Sequence, residues 1–334
     1  MRKSLLFLLF LFITVAGKAQ IGGLKSFEFL NTPNNARLAA LGGVNTSLSD
    51  RDLNFFFYNP ATAGDSLAGF ASATYQFFAA RTGQATFAYS HRFKKLGTLN
   101  FGVQHLSYGT IQGYDASGME TGDFESGETA LVISKSHQVS HFRLGAGLKV
   151  IFSNIAGYRA SAMAVDLGGM FIHPREQLTI GMVIRNAGVV LSEYSETSNT
   201  EMPFDVQVGA TYKPEHMPLR FSLTAYNLAR KNITYHDPGG TADEPGGLDR
   251  ILRHLNLGAE ILLHRNVNIL VGYNYLAHQE LKLEEGGGGA GVSFGFSARV
   301  RSFEFTMSRT GYVAGKAAYG FTLSKDIDTL LKRI

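Results

Sequence analysis

The sequence contains no cysteine and no tryptophan in its 334 residues. Without cysteine there is no disulfide framework, no zinc–thiolate site and no thiol nucleophile. Charge is sparse, at 17% of residues. After the first twenty residues no stretch approaches the roughly 18 consecutive apolar residues that mark a membrane helix. If the mature chain sits in a bilayer, it must do so as a closed barrel, because only helices and closed barrels satisfy their own backbone there. What the chain has in quantity is Phe (25), Tyr (14) and Gly (38). That mixture suits many strands and tight turns better than long helices.

The N-terminus reads as an export signal. Arg2 and Lys3 form a positive start, Leu5 to Ala16 is apolar except for Thr14, and Gly17-Lys18-Ala19 places small residues for cleavage after Ala19. The run is short for a spanning helix, which needs about 20 apolar residues; an uncleaved anchor is the alternative. Removing residues 1–19 takes away three bases and no acid, so the formal charge falls from +4 to +1. The high pI is therefore no argument for a nucleic-acid partner.

From there on, a period of two dominates. Phe142, Leu144, Ala146, Leu148, Val150 and Phe152 alternate with Arg143, Gly145, Gly147, Lys149 and Ser153, and only Ile151 breaks the rule. The same alternation runs through 84–93, 204–213 and 290–300. Such a pattern means strands with unlike faces. Fourteen segments follow it, approximately 68–80, 83–93, 97–109, 127–137, 141–153, 158–173, 176–186, 204–213, 218–229, 253–264, 266–277, 288–299, 301–310 and 316–325. Most exceed the mean soluble strand of about 5–6 residues and match the ~9–11 of a tilted membrane strand.

Short connections (94–96, 138–140, 174–175, 214–217, 265 and 300) alternate with longer polar ones (110–126, 154–157, 187–203, 230–252, 278–287 and 311–315). Outer-membrane barrels have short periplasmic turns and longer outer loops, and an even strand count puts both termini in the periplasm. The large residues share one face, while Gly, Ser, Asn, Gln and scattered charges share the other. Fourteen strands close well around a polar lumen, not around a large-residue interior. The expected fold is thus all-β: a 14-stranded antiparallel transmembrane β-barrel. Tyr89, Tyr108, Tyr212 and Tyr273 are candidates for its aromatic girdles.

Residues 20–66 do not alternate. Asn34 to Leu41 predicts a short helix after Pro33, broken by Gly42-Gly43, and an aromatic run, Leu53 to Tyr58, precedes Asn59-Pro60-Ala61. This reads as a plug- or hatch-like segment folded into or against the barrel mouth. The chain then divides into a signal peptide (1–19), the plug-like segment (20–66), the barrel (67–325) and a short periplasmic tail (326–334), whose Ile327, Leu330, Leu331 and Ile334 have helical spacing.

Chemistry-bearing motifs are weak. Gly291-Val292-Ser293-Phe294-Gly295 matches the G-x-S-x-G pattern, but that nucleophile needs a strand-to-helix elbow and here lies inside an alternating strand. Gly286 to Gly289 lacks the Lys-Ser/Thr of a phosphate loop. His236, Asp237, Asp243, Glu244 and Asp249 could meet a hard cation, yet their spacing fits no calcium loop, and a solvated loop is the simpler account. His91 and His105 lie on apolar faces, at interface positions. Asn45-Thr46-Ser47 and Asn232-Ile233-Thr234 match glycosylation acceptors by chance. Arg92, Arg143, Lys149, Asp166, Asp205, Arg220, Glu260, Arg299 and Glu304 either tune a pore or simply pair across the lumen. No catalytic, cofactor-binding or metal residue is assigned.

The stretch Phe29-Leu30-Asn31-Thr32-Pro33-Asn34-Asn35-Ala36-Arg37-Leu38-Ala39-Ala40-Leu41-Gly42-Gly43-Val44, followed by Tyr58-Asn59-Pro60-Ala61, resembles the opening of PorQ and PorV proteins of the type IX secretion system, within the wider FadL-like group of fourteen-stranded barrels. Ser153-Asn154-Ile155-Ala156-Gly157-Tyr158, Pro203-Phe204-Asp205-Val206-Gln207, Pro218 to Thr224, Arg253-His254 and Gly289 to Phe296 resemble the PorQ family in particular. The similarity runs from about residue 22 to 325; the ending Lys332-Arg333-Ile334 departs from the aromatic terminus of many barrels.

This resemblance implies a non-enzymatic component of the attachment complex in the cell outer membrane, which trims sorting signals from cargo and fixes the cargo to surface lipopolysaccharide. It implies PorZ as the partner held at the surface, with PorU and PorV reached through the complex, and outer-membrane lipid around the barrel. Loops 110–126, 187–203 and 230–252 are then expected to carry the partner contacts. The alternative is a FadL-like transporter of small hydrophobic molecules. An anchor predicts a plugged lumen; a transporter predicts an apolar pocket beside residues 20–60 and a lateral gap in the wall. A membrane-embedded enzyme would need a Ser/His/acid cluster that the sequence does not present.

Overall fold

The alternation along 142–153 becomes an inside and an outside. In a computed structural model describing residues 26–230, 233–234, 246–281, 289–312 and 316–327, Leu144 is 62% exposed while Lys149, on the opposite face of the same strand, is 2% exposed. The expected signal segment 1–19, most of the 326–334 tail, the Gly286–Gly288 run, Asn232 and the His236–Glu244 group lie outside the described residues.

Fourteen strands form one closed antiparallel barrel in which each pairs with its chain neighbours. They are β1 (Phe70–Phe77), β2 (Gly83–Phe93), β3 (Gly97–Tyr114), β4 (Glu120–Val139), β5 (Phe142–Ile155), β6 (Tyr158–Ile172), β7 (Gln177–Ser192), β8 (Asp205–Lys213), β9 (Leu219–Ala225), β10 (Leu255–His264), β11 (Val267–Asn274), β12 (Val292–Val300), β13 (Phe303–Gly311) and β14 (Ala317–Asp326). Closure comes from β1 against β14, in register from Phe70↔Asp326 to Phe77↔Tyr319. No sheet edge is left within the wall, which is how a barrel avoids unpaired backbone in hydrocarbon.

All fourteen predicted segments contain strands; besides trimmed ends, such as β9 stopping at Ala225 and β12 starting at Val292, there are three larger departures. The polar stretch 110–126 is not a loop: β3 and β4 run on as a hairpin, 18 and 20 residues long, with only Asp115 to Met119 turning between them. β7 likewise extends to Ser192. The segment expected to continue as strand to residue 277 instead turns helical at Tyr275, and a second short helix, Gly247–Arg253, occupies the described end of the 230–252 connection.

The outer face is lined by exposed Phe77, Phe87, Phe152, Leu167, Phe221, Phe296 and Phe305, among many others. Soluble monomers rarely expose a contiguous apolar patch above a few hundred Å²; a continuous apolar exterior belongs in lipid. Tyr89, Tyr212 and Tyr273 lie on this outer side. Tyr108 does not: it turns inward, donates to the Glu128 carboxylate at 2.6 Å and packs on the interior core.

Candidate functional site

A barrel of about eight strands is filled by its own wall side chains, and a larger one leaves a lumen. Here the lumen holds residues 26–69 of the same chain. Their local structure follows from short-range chemistry. Asn35 caps a helix, α1 (Ala36–Ala40), by accepting from the Leu38 N–H at 2.7 Å. Gly42 and Gly43, at φ +91° and +90°, end it, and the Gly43 N–H returns to the Leu38 carbonyl. The helix is the one predicted for Asn34 to Leu41, shortened at both ends. Asp52 caps a single 3-10 turn, Leu53–Phe57, by accepting from the Asn54 N–H. That turn stacks Phe56 on Phe57 at 4.4 Å between ring centres.

Two features of the inner wall receive this segment. The first is a set of glycines. A Cβ on Gly145 would overlap the Pro60–Ala61 backbone; on Gly102, the rings of Phe56 and Phe57; on Gly181, the Thr46 carbonyl; on Gly272, the Leu41–Gly42 backbone. These glycines lie on β5, β3, β7 and β11, so the wall is thinned on several sides where the inner segment touches it.

The second is a ring of side chains that bind its backbone carbonyls. Gln84 donates to the Pro33 carbonyl at 2.8 Å, joined there by Gln76. Gln104 donates to Phe29, Arg185 to Leu30 and Thr179 to Ser47. The Asn256 amide bridges the carbonyls of Leu41 and Val44 at 2.9 and 2.7 Å. The inner segment has little sheet of its own, so its carbonyls would otherwise be buried without partners.

An ionic knot fixes one end. Arg37 on α1 reaches Asp50 at 2.6 Å and Glu260 of β10 at 2.8 Å, with Asp52 at 3.8 Å. Arg220 of β9 binds the same Asp50 and Glu260 at 3.0 and 2.6 Å. Burial opposes the charge on Asp50, but Arg37 and Arg220 outweigh it and hold its carboxyl well below the usual range. Asp52 goes the other way: burial, with Asp50 and Glu304 nearby, pushes it up to about 6 against the pull of Arg37. The knot borders a cavity of about 340 Å³ near the short-turn end, lined also by Arg51, His264, Arg265 and Arg299.

The charges expected in the lumen thus find partners. Lys149 pairs with Asp166 at 2.7 Å and donates to Asn186; Arg299 pairs with Glu304. Arg92 and Arg143 donate to the carbonyls of Asp65 and Thr62, and Asp205 accepts from Gln207. Sequence reasoning missed Arg37, Asp50 and Arg185. Arg185 stacks 4.1 Å from the Tyr58 ring centre and is fully buried; its place in the alternation of β7, two residues after inward Val183, was the available signal. Ser293 of the G-x-S-x-G match is the second residue of β12, inside the strand and buried. Asn45 is buried in the lumen segment. Asp249 pairs with Arg253, and among the described residues no three acidic or histidine side chains gather as metal ligands. His91 and His105 are outward, each beside a hydroxyl partner, Tyr89 and Thr129.

Apolar exterior, closed fourteen-strand ladder and occupied interior together define a membrane β-barrel that holds its own N-terminal segment in its lumen. No protein-family model matches the chain, and no curated protein matches it. Its fold is similar to that of the toluene transporter TodX of P. putida, at 11% identity over 88% of this chain and 98% of that one, with a TM-score of 0.48. It is more distantly similar to Omp33 of Acinetobacter baumannii (10% identity, 77% of this chain and 97% of that one, TM-score 0.38). The outer membrane phospholipase A of Escherichia coli also matches (10% identity, 77% and 90%, TM-score 0.31). The likeness is one of barrel architecture.

Proposed function

We propose that this barrel is a non-enzymatic outer-membrane mount that holds a partner at the cell surface, in the manner of the PorQ family of the type IX secretion system. The partner in this reading is a PorZ protein, with PorU and PorV engaged through the attachment complex. The observation that carries the proposal is the occupied lumen. A conduit needs a path, whereas here α1 is tied by Arg37 to Glu260 and the wall glycines close on the backbone beside it. The long connections all leave one rim, which outer-membrane barrels turn outward; the described C-terminal end then falls on the periplasmic side, whereas the described N-terminal end, expected there too, sits at the outer rim, where the Ser26 N–H donates to the Glu201 carbonyl of the β7–β8 connection. Affinity purification of the tagged protein from outer membranes tests this: recovery of PorZ is expected, and recovery of bound lipid or hydrocarbon without it contradicts the mount.

A FadL-like transporter of small hydrophobic molecules is the second reading. One observation favours it. A cavity of about 420 Å³ lies on the outer side of β8–β11, lined by Tyr212, Phe221, Leu223, Leu257, Val271 and Tyr273. It adjoins the shortest ladder of the wall, the five pairs between β8 and β9. Uptake of a labelled apolar solute by cells with and without the protein separates the two readings.

A further inference from the structure

Two of the long connections carry short helices among the described residues, Gly247–Arg253 and Tyr275–Leu281, but the β3–β4 hairpin carries none. Pairing of β2 with β3 begins at Gly83↔Ser107, and pairing of β4 with β5 ends at Gly127↔Asn154. Beyond those points β3 and β4 pair only with each other, from Thr110↔Glu125 to Tyr114↔Glu120. At about 3.3 Å per residue, five to six residues carry this ribbon close to 20 Å past the neighbouring strands. Both of its edges are open, and an open edge is a template for an added strand.

Its tip is ordered. Asp115 accepts from the Ser117 and Met119 N–H groups and from the Ser117 hydroxyl. The ribbon presents exposed Ile111, Tyr114 and Met119. Its charge has a single sign: residues 110–128 carry Asp115, Glu120, Asp123, Glu125 and Glu128 and no Lys or Arg. Asp115 serves the turn and Glu128 takes the Tyr108 hydroxyl. Glu120, Asp123 and Glu125 are exposed, and their carboxylates have no hydrogen-bond or ion-pair partner among the described residues. Three unpaired carboxylates along one open edge repel an anionic surface and favour a cationic one.

We propose that the edge of β4 between Glu120 and Glu125 docks a Lys- and Arg-bearing extended segment of a protein partner, which adds to the hairpin as a further strand while its apolar residues meet Ile111, Tyr114 and Met119. This rests on the mount reading and names the surface through which the mount holds its partner.

The test uses the full-length tagged protein in intact cells. Carbodiimide cross-linking joins carboxylates to amines in direct contact, and mass spectrometry identifies both peptides. The expected result is cross-links from Glu120, Asp123 or Glu125 to lysines of one second protein. Recovery of that protein should fall about tenfold or more in E120K/D123K/E125K and when residues 110–125 are replaced by an Asn-Gly turn. Heat-modifiable migration in gels verifies that both variants retain a folded barrel. If the same protein is recovered undiminished from both variants, the hairpin is not the docking edge while the mount reading stands. If the wild type yields no second protein, both fall.

Discussion

Arg37 on the helix inside the barrel and Glu260 on wall strand β10 meet at 2.8 Å, with side chains only 6% and 2% exposed. A pair this buried contributes little net stability, since desolvating both charges offsets their attraction. Its consequence is placement: 223 residues apart in sequence, the two groups fix where the inner segment sits along the barrel axis.

Breaking that pair on one side should cost far more than removing it whole. Arg37→Met leaves the buried Glu260 and the partly buried Asp50 with Arg220 alone, at a cost of about 3 kcal/mol. The double variant R37M/E260M should recover much of this. Thermal unfolding in detergent, with proteolysis of the inner segment read in parallel, measures both. A single variant as stable as the wild type would show that the knot does not seat the segment.

The glycine cradle gives a steric version of the same experiment. Gly145 has no left-handed backbone, so Gly145→Val adds bulk and little else; its Cβ would overlap the backbone of Pro60 and Ala61. Overpacking of this kind costs about 1–3 kcal/mol. Amide hydrogen exchange should quicken across residues 58–64 and stay slow in β5 and β6.

Asp52 makes the seat pH-dependent. Its folded pKa of about 6 lies above the ordinary 3.8, chiefly because the group is buried. A raised carboxyl stabilises the fold at low pH, where it is protonated in both states. That contribution is lost as pH rises from about 4 to about 6, and amounts to about 3 kcal/mol at the upper end. Asp52→Asn keeps an oxygen for the Asn54 cap. It should therefore raise the unfolding midpoint at pH 7.5 and leave it unchanged at pH 4. A lower midpoint at pH 7.5 would mean that attraction to Arg37 outweighs burial.

The wall was legible because one physical rule governs it: with lipid on one side and a packed lumen on the other, every strand such as Phe142 to Phe152 must alternate. Where neither face is buried the rule lapses, which is why the ribbon of 110–126 read as a loop. Ile151 breaks the pattern of β5 because it is fully buried with the inner aromatic core rather than facing polar groups. The pairing of Arg37 with Glu260, or of Lys149 with Asp166, depends on how distant segments meet, and local spacing carries no record of it. Parity did hold the inward direction of Arg185, and the amides Gln76, Gln84, Gln104 and Asn256 on the polar face were signs of a buried backbone waiting to be bound.

Occlusion of the lumen by residues 26–66 is the central claim, and single-channel recording in planar bilayers tests it most directly. The intact protein should insert without a stable conducting state, and a variant lacking residues 26–66 should show discrete open-channel steps. Steady conductance from the intact protein, unchanged by that deletion, would contradict it.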